Sequence, residues 1–376
     1  MNTTENFEYD IEFFNREKEK EEIMRILRAK PNFINFIYGP INSGKTTLIT
    51  SLIDDLPKDK YAVFYINLRG KLIKEYGGFV RVLFKVKRKE ISEKVIEKGE
   101  KLAKKTLVLA GRYLSGIPIE KDMLDGFLEI KSSEDVFEFL EEYFLKISEE
   151  KIPVLIIDEL QVIGDLEING KLIYKLFNFF IRLTKELHLC HVFALSSDSL
   201  FIERVYNEAM LEGRTNYILI DDFDEENAGK FLKKYKFKDI NKAIKYFGGK
   251  PGDLRILLEE GKEINSVVQE KIAEKRRLIS DILDKLLYVK PKIEMEEGEE
   301  KIPVERDKII EILKMFKDKE EIRDTGISRA EKIYLSRKNI LFINPQKETI
   351  KTQSGIILTG IREILKEIDD NTLTIK

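Results

Sequence analysis

Eight consecutive residues limit what this chain can become more than any others: Gly39-Pro40-Ile41-Asn42-Ser43-Gly44-Lys45-Thr46. Their spacing, G-x-x-x-x-G-K-[ST], is that of a phosphate-binding loop. Glycine at each end lets the backbone curl until successive N–H groups face one anion. Lys45 brings a mobile charge for the β- and γ-phosphates, and the Thr46 hydroxyl suits a magnesium ion. The loop has to run into a helix whose amino-terminal dipole favours the same anion, and Thr47 lies in that first turn. Residues 33–38 read as a buried strand and residues 47–53 as a helix, the flanks such a loop needs.

A second stretch completes the chemistry. Ile152-Pro153-Val154-Leu155-Ile156-Ile157-Asp158-Glu159 is apolar until its last two residues. Such a run fits a strand covered on both faces of a parallel sheet. Two carboxylates at its end need water or partners, and strand ends are where open α/β sheets bind ligands. Asp158 fits a magnesium-holding acid. Glu159 fits a base that directs water.

The other motifs carry weaker signals. Residues 61–68 and 191–195 read as further strands. The second ends in Ser196-Ser197-Asp198, where Ser197 is either a γ-phosphate contact or part of a helix cap. Arg214 precedes the strand at 217–220 and is either a charge for the transition state or a surface arginine. His188 and His191 have no cysteine or carboxylate cluster at metal spacing. Asn15 is suited to cap an amphipathic helix that carries Ile23, Ile26 and Leu27.

Length and composition set the frame. With 376 residues the chain exceeds one ordinary core, so two or three domains are expected. A net charge of −2 gives no global attraction to nucleic acid or membrane. No run approaches the ~20 apolar residues of a membrane span. The opening residues lack the shape of a signal peptide, and Cys190 alone builds no disulfide framework, so a cytoplasmic protein is expected. Segment 81–105 carries ten Lys or Arg against four Glu, and reads as inserted helices with a basic, solvated face.

The expected domains are a nucleotide-binding core over 1–222 with a helical insertion near 69–131, then a helical lid and connecting helix over 223–288. A linker over 289–302 and a C-terminal unit over 303–376 follow. In that last unit, helices are expected around Ile309–Phe316, Lys319–Asp324 and Ser328–Leu335, then a hairpin, which is winged-helix order. The third helix would carry Arg329, Lys332, Arg337 and Lys338, as a DNA-reading helix requires. The unit's 15 basic and 13 acidic side chains give no strong basic footprint. DNA and a protein partner are therefore both open.

Taken together, the chain resembles archaeal P-loop ATPases related to the AAA+ and STAND groups. The likeness rests on Phe13-Phe14-Asn15-Arg16-Glu17-Lys18-Glu19, the phosphate loop, Val154–Glu159 and Gly248-Gly249-Lys250-Pro251. It implies a three-layer α/β/α sandwich around a parallel sheet of order 5-1-4-3-2, a helical lid and a C-terminal winged helix. It also implies ATP or ADP with Mg2+ as ligands, and Asn15 and Arg16 against the adenine. Pro251 would come from the lid, Ser197 would sense the γ-phosphate, and Arg214 would be the arginine ahead of the last strand. The preference for ATP over GTP follows from the resemblance alone. The reading is a magnesium-dependent ATPase, with a slow-hydrolysing switch and an oligomeric DNA-remodelling ATPase as its rivals.

Overall fold

The computed structural model describes residues 13–71, 73–86, 114–130, 133–166, 171–261, 263–294 and 301–374. Most of the basic segment, residues 87–105, lies outside them.

Helix α1 (Glu17–Arg28) buries Ile23 and Leu27. It leads into strand β1 (Ile34–Tyr38), every residue of which is buried. The phosphate loop follows, then α2 (Lys45–Asp55) and β2 (Tyr61–Asn67). After the insertion come α3 (Ser133–Ser148), β3 (Ile152–Asp158), α4 (Leu172–Ile181), β4 (His191–Ser196), α5 (Ser199–Tyr206) and β5 (Thr215–Leu219).

These strands pair in parallel in the order β2-β3-β4-β1-β5. Numbered along the chain this is 5-1-4-3-2, and the short strand Leu114–Ser115 adds to the sheet beside β2. Apolar side chains pack on both faces. Phe36, Phe64 and Phe177 lie in the cluster on one side, and Ile37, Leu48 and Ile156 in that on the other. Continuous apolar strands in the sequence are the direct consequence of this double burial.

The insertion differs from the expected run of helices. Helix Tyr76–Leu83 turns directly into strand Phe84–Val86, which pairs in parallel with Ile117–Ile119 before helix Lys121–Ile130. β-Branched and aromatic residues in both segments favour that pairing.

The region expected as a lid contains α6 (Glu225–Lys234), α7 (Ile240–Phe247) and α8 (Pro251–Glu260). Proline sits at the first turn of α8, where a missing N–H costs nothing. Helix α9 (Ile264–Tyr288) then spans two cores: Val267, Val268 and Ile272 belong to the lid, while Ile279, Leu283 and Leu286 belong to the C-terminal unit.

That unit contains α10 (Arg306–Lys314), β6 (Glu321–Arg323), α11 (Arg329–Arg337), β7 (Leu341–Asn344), β8 (Thr349–Thr352) and α12 (Gly355–Thr374). Residues 319–324, expected as a helix, instead supply β6, which joins β8 antiparallel beside the expected hairpin. A second correction concerns α11. Residues 330–336 are all buried, so the middle of the helix is covered, and of the four basic residues only Arg329, Arg337 and Lys338, at its ends, are exposed. Lys332 is 8% exposed and donates to Glu203 and Asp324 instead of offering its charge outward.

Candidate nucleotide site

The loop, the residues just ahead of α1, Arg69, Ser197 and the helical unit after β5 border a cleft of about 320 Å³. Gly44 takes a left-handed φ of 94°, turning the chain into α2. The Lys45 side chain is buried, and its ammonium donates to the carbonyls of Gly39 (2.9 Å) and Pro40 (2.8 Å). Burial brings its pKa down to about 7, with the Lys250 charge adding to the effect and Glu159 and Asp158 opposing it.

The charge of Asp158 is felt by this lysine. Asp158 Oδ2 accepts from the Thr46 hydroxyl at 2.9 Å and from the Tyr65 hydroxyl at 2.7 Å. The loop and the carboxylates, 112 residues apart for this pair, thus converge on one point. Oxygen donors so arranged fit a small hard cation that keeps several waters and leans on phosphate oxygens. Among the described residues no three His, Cys, Asp or Glu side chains cluster as a self-sufficient metal site.

Glu159 adopts a left-handed φ of 62° at the turn after β3. Strained backbone of this kind aims a side chain where a regular strand end cannot. One oxygen of Glu159 accepts from the Arg69 guanidinium, and the other from the Gln161 amide at 2.6 Å. Gln161 in turn accepts from Ser196 Oγ at 2.8 Å, tying the ends of β3 and β4 together.

The remaining expected residues distribute as follows. Asn42, Ser43, Gly44, Thr46, Thr47 and Ser197 all border the cleft, as do Arg16 and Pro251. Asn15 does not serve as the helix cap: Arg16 holds that position with φ 82°, and the Asn15 side chain accepts the Arg16 N–H instead. Arg16 donates to the carbonyls of Ser43 (2.9 Å) and Asp221 (2.5 Å), bracing the loop from behind, and packs over Phe223. Asp198 caps α5, accepting from the N–H groups of Leu200 and Phe201, so the helix-cap reading of this turn holds for Asp198.

Arg214 is a correction. It immediately precedes β5, whose first residue pairs with Ile34 at the start of β1. The phosphate loop follows the other end of β1, so Arg214 lies a strand's length away, donating to the Met210 carbonyl. A larger hollow of about 770 Å³, bordered by Glu22, Tyr206 and Tyr217, contains no loop residue and offers no comparable chemistry.

Several contributors escaped sequence reasoning. Tyr65 sits inside an apolar strand with nothing to mark it. Arg69, in the turn after β2, and Arg255, on α8, border the cleft; Gly252-Asp253-Leu254-Arg255 after the recognised glycine–proline element was the available signal for the latter. Lys250 is buried, donating to the Ile41 carbonyl (2.9 Å) and to Asp222 (3.0 Å). The C-terminal hairpin reaches the loop as well. Gln353 Oε1 accepts the Ile41 N–H at 3.1 Å, and Asn344 and Gln346 accept from the Tyr38 hydroxyl at 2.9 and 2.7 Å. Lys351 pairs with Asp221 and Asp222.

Residues 13–257 match the model of an ATPase domain predominantly from Archaea. Residues 265–365 match the C-terminal domain of MJ1010-like uncharacterized ATP-binding proteins. Among the relatives is an uncharacterized ATP-binding protein of Methanocaldococcus jannaschii, 45% identical over 368 residues, covering 94% of this chain and all of the relative. Another is an uncharacterized ATP-binding protein of Pyrococcus abyssi, 41% identical over 357 residues, with 94% and 99% covered. The Walker-type ATPase paby2304 of Pyrococcus abyssi shares the fold: TM-score 0.59 at 16% identity, over 93% of this chain and 96% of that one. No helix among the described residues is long and apolar enough to cross a membrane.

Proposed function

The chain belongs to the family of ATPase domains found predominantly in Archaea, and on that footing we propose that it is a magnesium-dependent ATPase. In this reading its nucleotide state is passed to the lid and the C-terminal unit, as in the STAND group its sequence resembles. The observation that carries the reading is the hydrogen bond from the loop's Thr46 to Asp158, with Lys45 near enough to feel the charges of Asp158 and Glu159.

The roles follow from charge and position. Lys45 leaves the loop carbonyls for the β- and γ-phosphates, while the loop N–H groups take the remaining oxygens. Thr46 and Asp158 would hold magnesium, which when bound would neutralise charge on the phosphates. Glu159 orients a water in line with the γ-phosphate and accepts its proton. Phe13, Phe14, Phe223 and Phe231 line the part of the cleft suited to an adenine ring. Most of the rate enhancement is then positioning and fixed charge.

The test is Glu159→Gln. It keeps ATP affinity within a few-fold and lowers turnover by about 10²–10⁴-fold, the range of a lost general base. Hydrolysis at the parent rate rules out the role given to Glu159.

A second reading, a slow switch, draws support from the hairpin. A C-terminal glutamine that accepts a loop N–H is suited to report what the loop holds. Steady-state turnover separates the two: a working ATPase cycles many times a minute, a switch less than once. Its partner is proposed as a protein, because the middle of the helix expected to read DNA is buried. The compartment is proposed to be the cytoplasm, where a lone buried Cys190 stays reduced.

A further inference from the structure

Strand β5 ends the sheet on the side away from Leu114–Ser115, and no strand among the described residues pairs with its outer edge. Ile34 N–H donates to the Arg214 carbonyl at 3.0 Å, and Ile220 N–H to the Tyr38 carbonyl at 2.7 Å. Peptide groups alternate in direction along a strand, so the even-numbered residues here face β1. Thr215, Tyr217 and Leu219 turn their N–H and C=O groups outward, and among the described residues no backbone group pairs with them. Thr215-Asn216-Tyr217-Ile218-Leu219 carries no proline or charge to blunt the edge. The hollow of about 770 Å³ lies along it, bordered by Thr215, Asn216 and Tyr217. Ile26 of α1 comes to it from one face of the sheet and Tyr206 of α5 from the other.

The same chain holds a segment that suits this edge. Phe7-Glu8-Tyr9-Asp10-Ile11-Glu12, ahead of the described residues, alternates apolar and acidic side chains, the pattern of a strand with one covered face. It leads into the chain where β5 finishes. Arg16 donates to the Asp221 carbonyl at 2.5 Å, and the Phe14 and Phe223 rings meet at 6.0 Å. Asp221 and Phe223 lie just past β5. An extended segment that ends there lies along β5 by running parallel to it. Six residues span about 20 Å, against about 17 Å for the five of β5. Topology agrees. Helices α1 and α2 pack on the same face of the sheet. A strand outside β5, joined through α1 to β1, steps across the sheet in the same direction as β1–α2–β2. The two connections then share one hand, as parallel crossovers do almost without exception. Charge sets the facing. Glu22, Glu208 and Glu212 border the hollow against Arg25 alone, which favours Phe7, Tyr9 and Ile11 turned inward and the carboxylates turned to water.

We infer that residues 7–12 add to the outer edge of β5 as a parallel strand, so that the chain's own amino-terminal segment covers this edge of the sheet. Phe13 and Phe14 follow directly and border the nucleotide cleft, so the added strand also tethers one wall of that cleft. None of this depends on whether bound ATP is hydrolysed.

The experiment is amide hydrogen exchange, read residue by residue by mass spectrometry. It compares the full chain, a chain that starts at Phe13, and the full-length variant with Phe7→Ser, Tyr9→Ser and Ile11→Ser. In the full chain the amides of Thr215, Tyr217 and Leu219 exchange at least about tenfold more slowly than in the other two, and every second amide within residues 7–12 is protected with them. The amides of β4, in the middle of the sheet, exchange alike in all three and report an intact fold. Should the shortened chain fail to fold, the serine variant, which keeps the whole backbone, carries the comparison. Thr215, Tyr217 and Leu219 amides that exchange in the full chain as fast as unstructured peptide overturn the inference and leave the edge to a strand from another protein. Protection that neither alteration reduces overturns it too. So does protection that fades on dilution together with a dimer in sedimentation, since the strand then comes from a second copy.

Discussion

Lys45 holds its ammonium buried against two carbonyls, and that burial makes nucleotide binding depend on pH. The lysine's pKa is brought down to about 7 by desolvation first and by the Lys250 charge second. A triphosphate supplies the countercharge that restores it above the ordinary lysine range. The bound state therefore holds more protons than the free state between those two values. By linkage, affinity falls as pH rises through that window and is flat below it. Between pH 7 and 9 the loss comes to about fifty-fold, near tenfold per unit once the free lysine is mostly neutral. At pH 8 each binding event takes up about 0.9 proton. Titration calorimetry of ATPγS in two buffers of different ionisation enthalpy reads both quantities. Lys45→Met binds more weakly, with no proton uptake and no slope over this range. A parent whose affinity is constant from pH 7 to 9, with no buffer-dependent heat, refutes the argument. The same shift acts on folding with its own sign. The unfolded chain binds the proton more readily than the empty fold, so stability contributed by this group rises from about pH 7 toward 10.

Two further outcomes probe the scaffold by chemical denaturation. Gly249 lies where a methyl group would sit 1.7 Å from the Phe223 carbonyl oxygen, so Gly249→Ala costs about 3 kcal/mol, whereas Gly126→Ala, in open space within a helix, gains about 1 kcal/mol. Lys332→Met strands the carboxylates of Asp324 and Glu203 and costs about 3 kcal/mol; adding Asp324→Asn recovers part of it, and no recovery argues against an electrostatic origin.

The nucleotide core was readable because its signals are local. The central strands β1, β3 and β4 are apolar runs sheathed on both sides, and the loop and Asp158-Glu159 are contiguous motifs at strand ends. The C-terminal unit was less readable. Glu321-Ile322-Arg323 has helix-compatible side chains, and only pairing with Thr349–Lys351 makes it a strand. The basic residues of α11 suggested a surface, but Lys332 is matched by Asp324 and by Glu203, the latter 129 residues away. The site shows the same division. Lys45, Thr46, Asp158 and Glu159 announce themselves, whereas Tyr65, Arg69 and Lys250 matter through where the fold delivers them. Arg214 misled because adjacency to a strand does not say which end of the sheet it occupies.

The hairpin bearing Asn344, Gln346, Lys351 and Gln353 fills hydrogen-bonding positions that belong to β1, to the glycine loop and to Asp221. The last seventy or so residues are therefore not an interchangeable module. A chimera that grafts another relative's tail onto this core would bring foreign side chains to the Ile41 amide and the Tyr38 hydroxyl. Head and tail have to be inherited as a matched set.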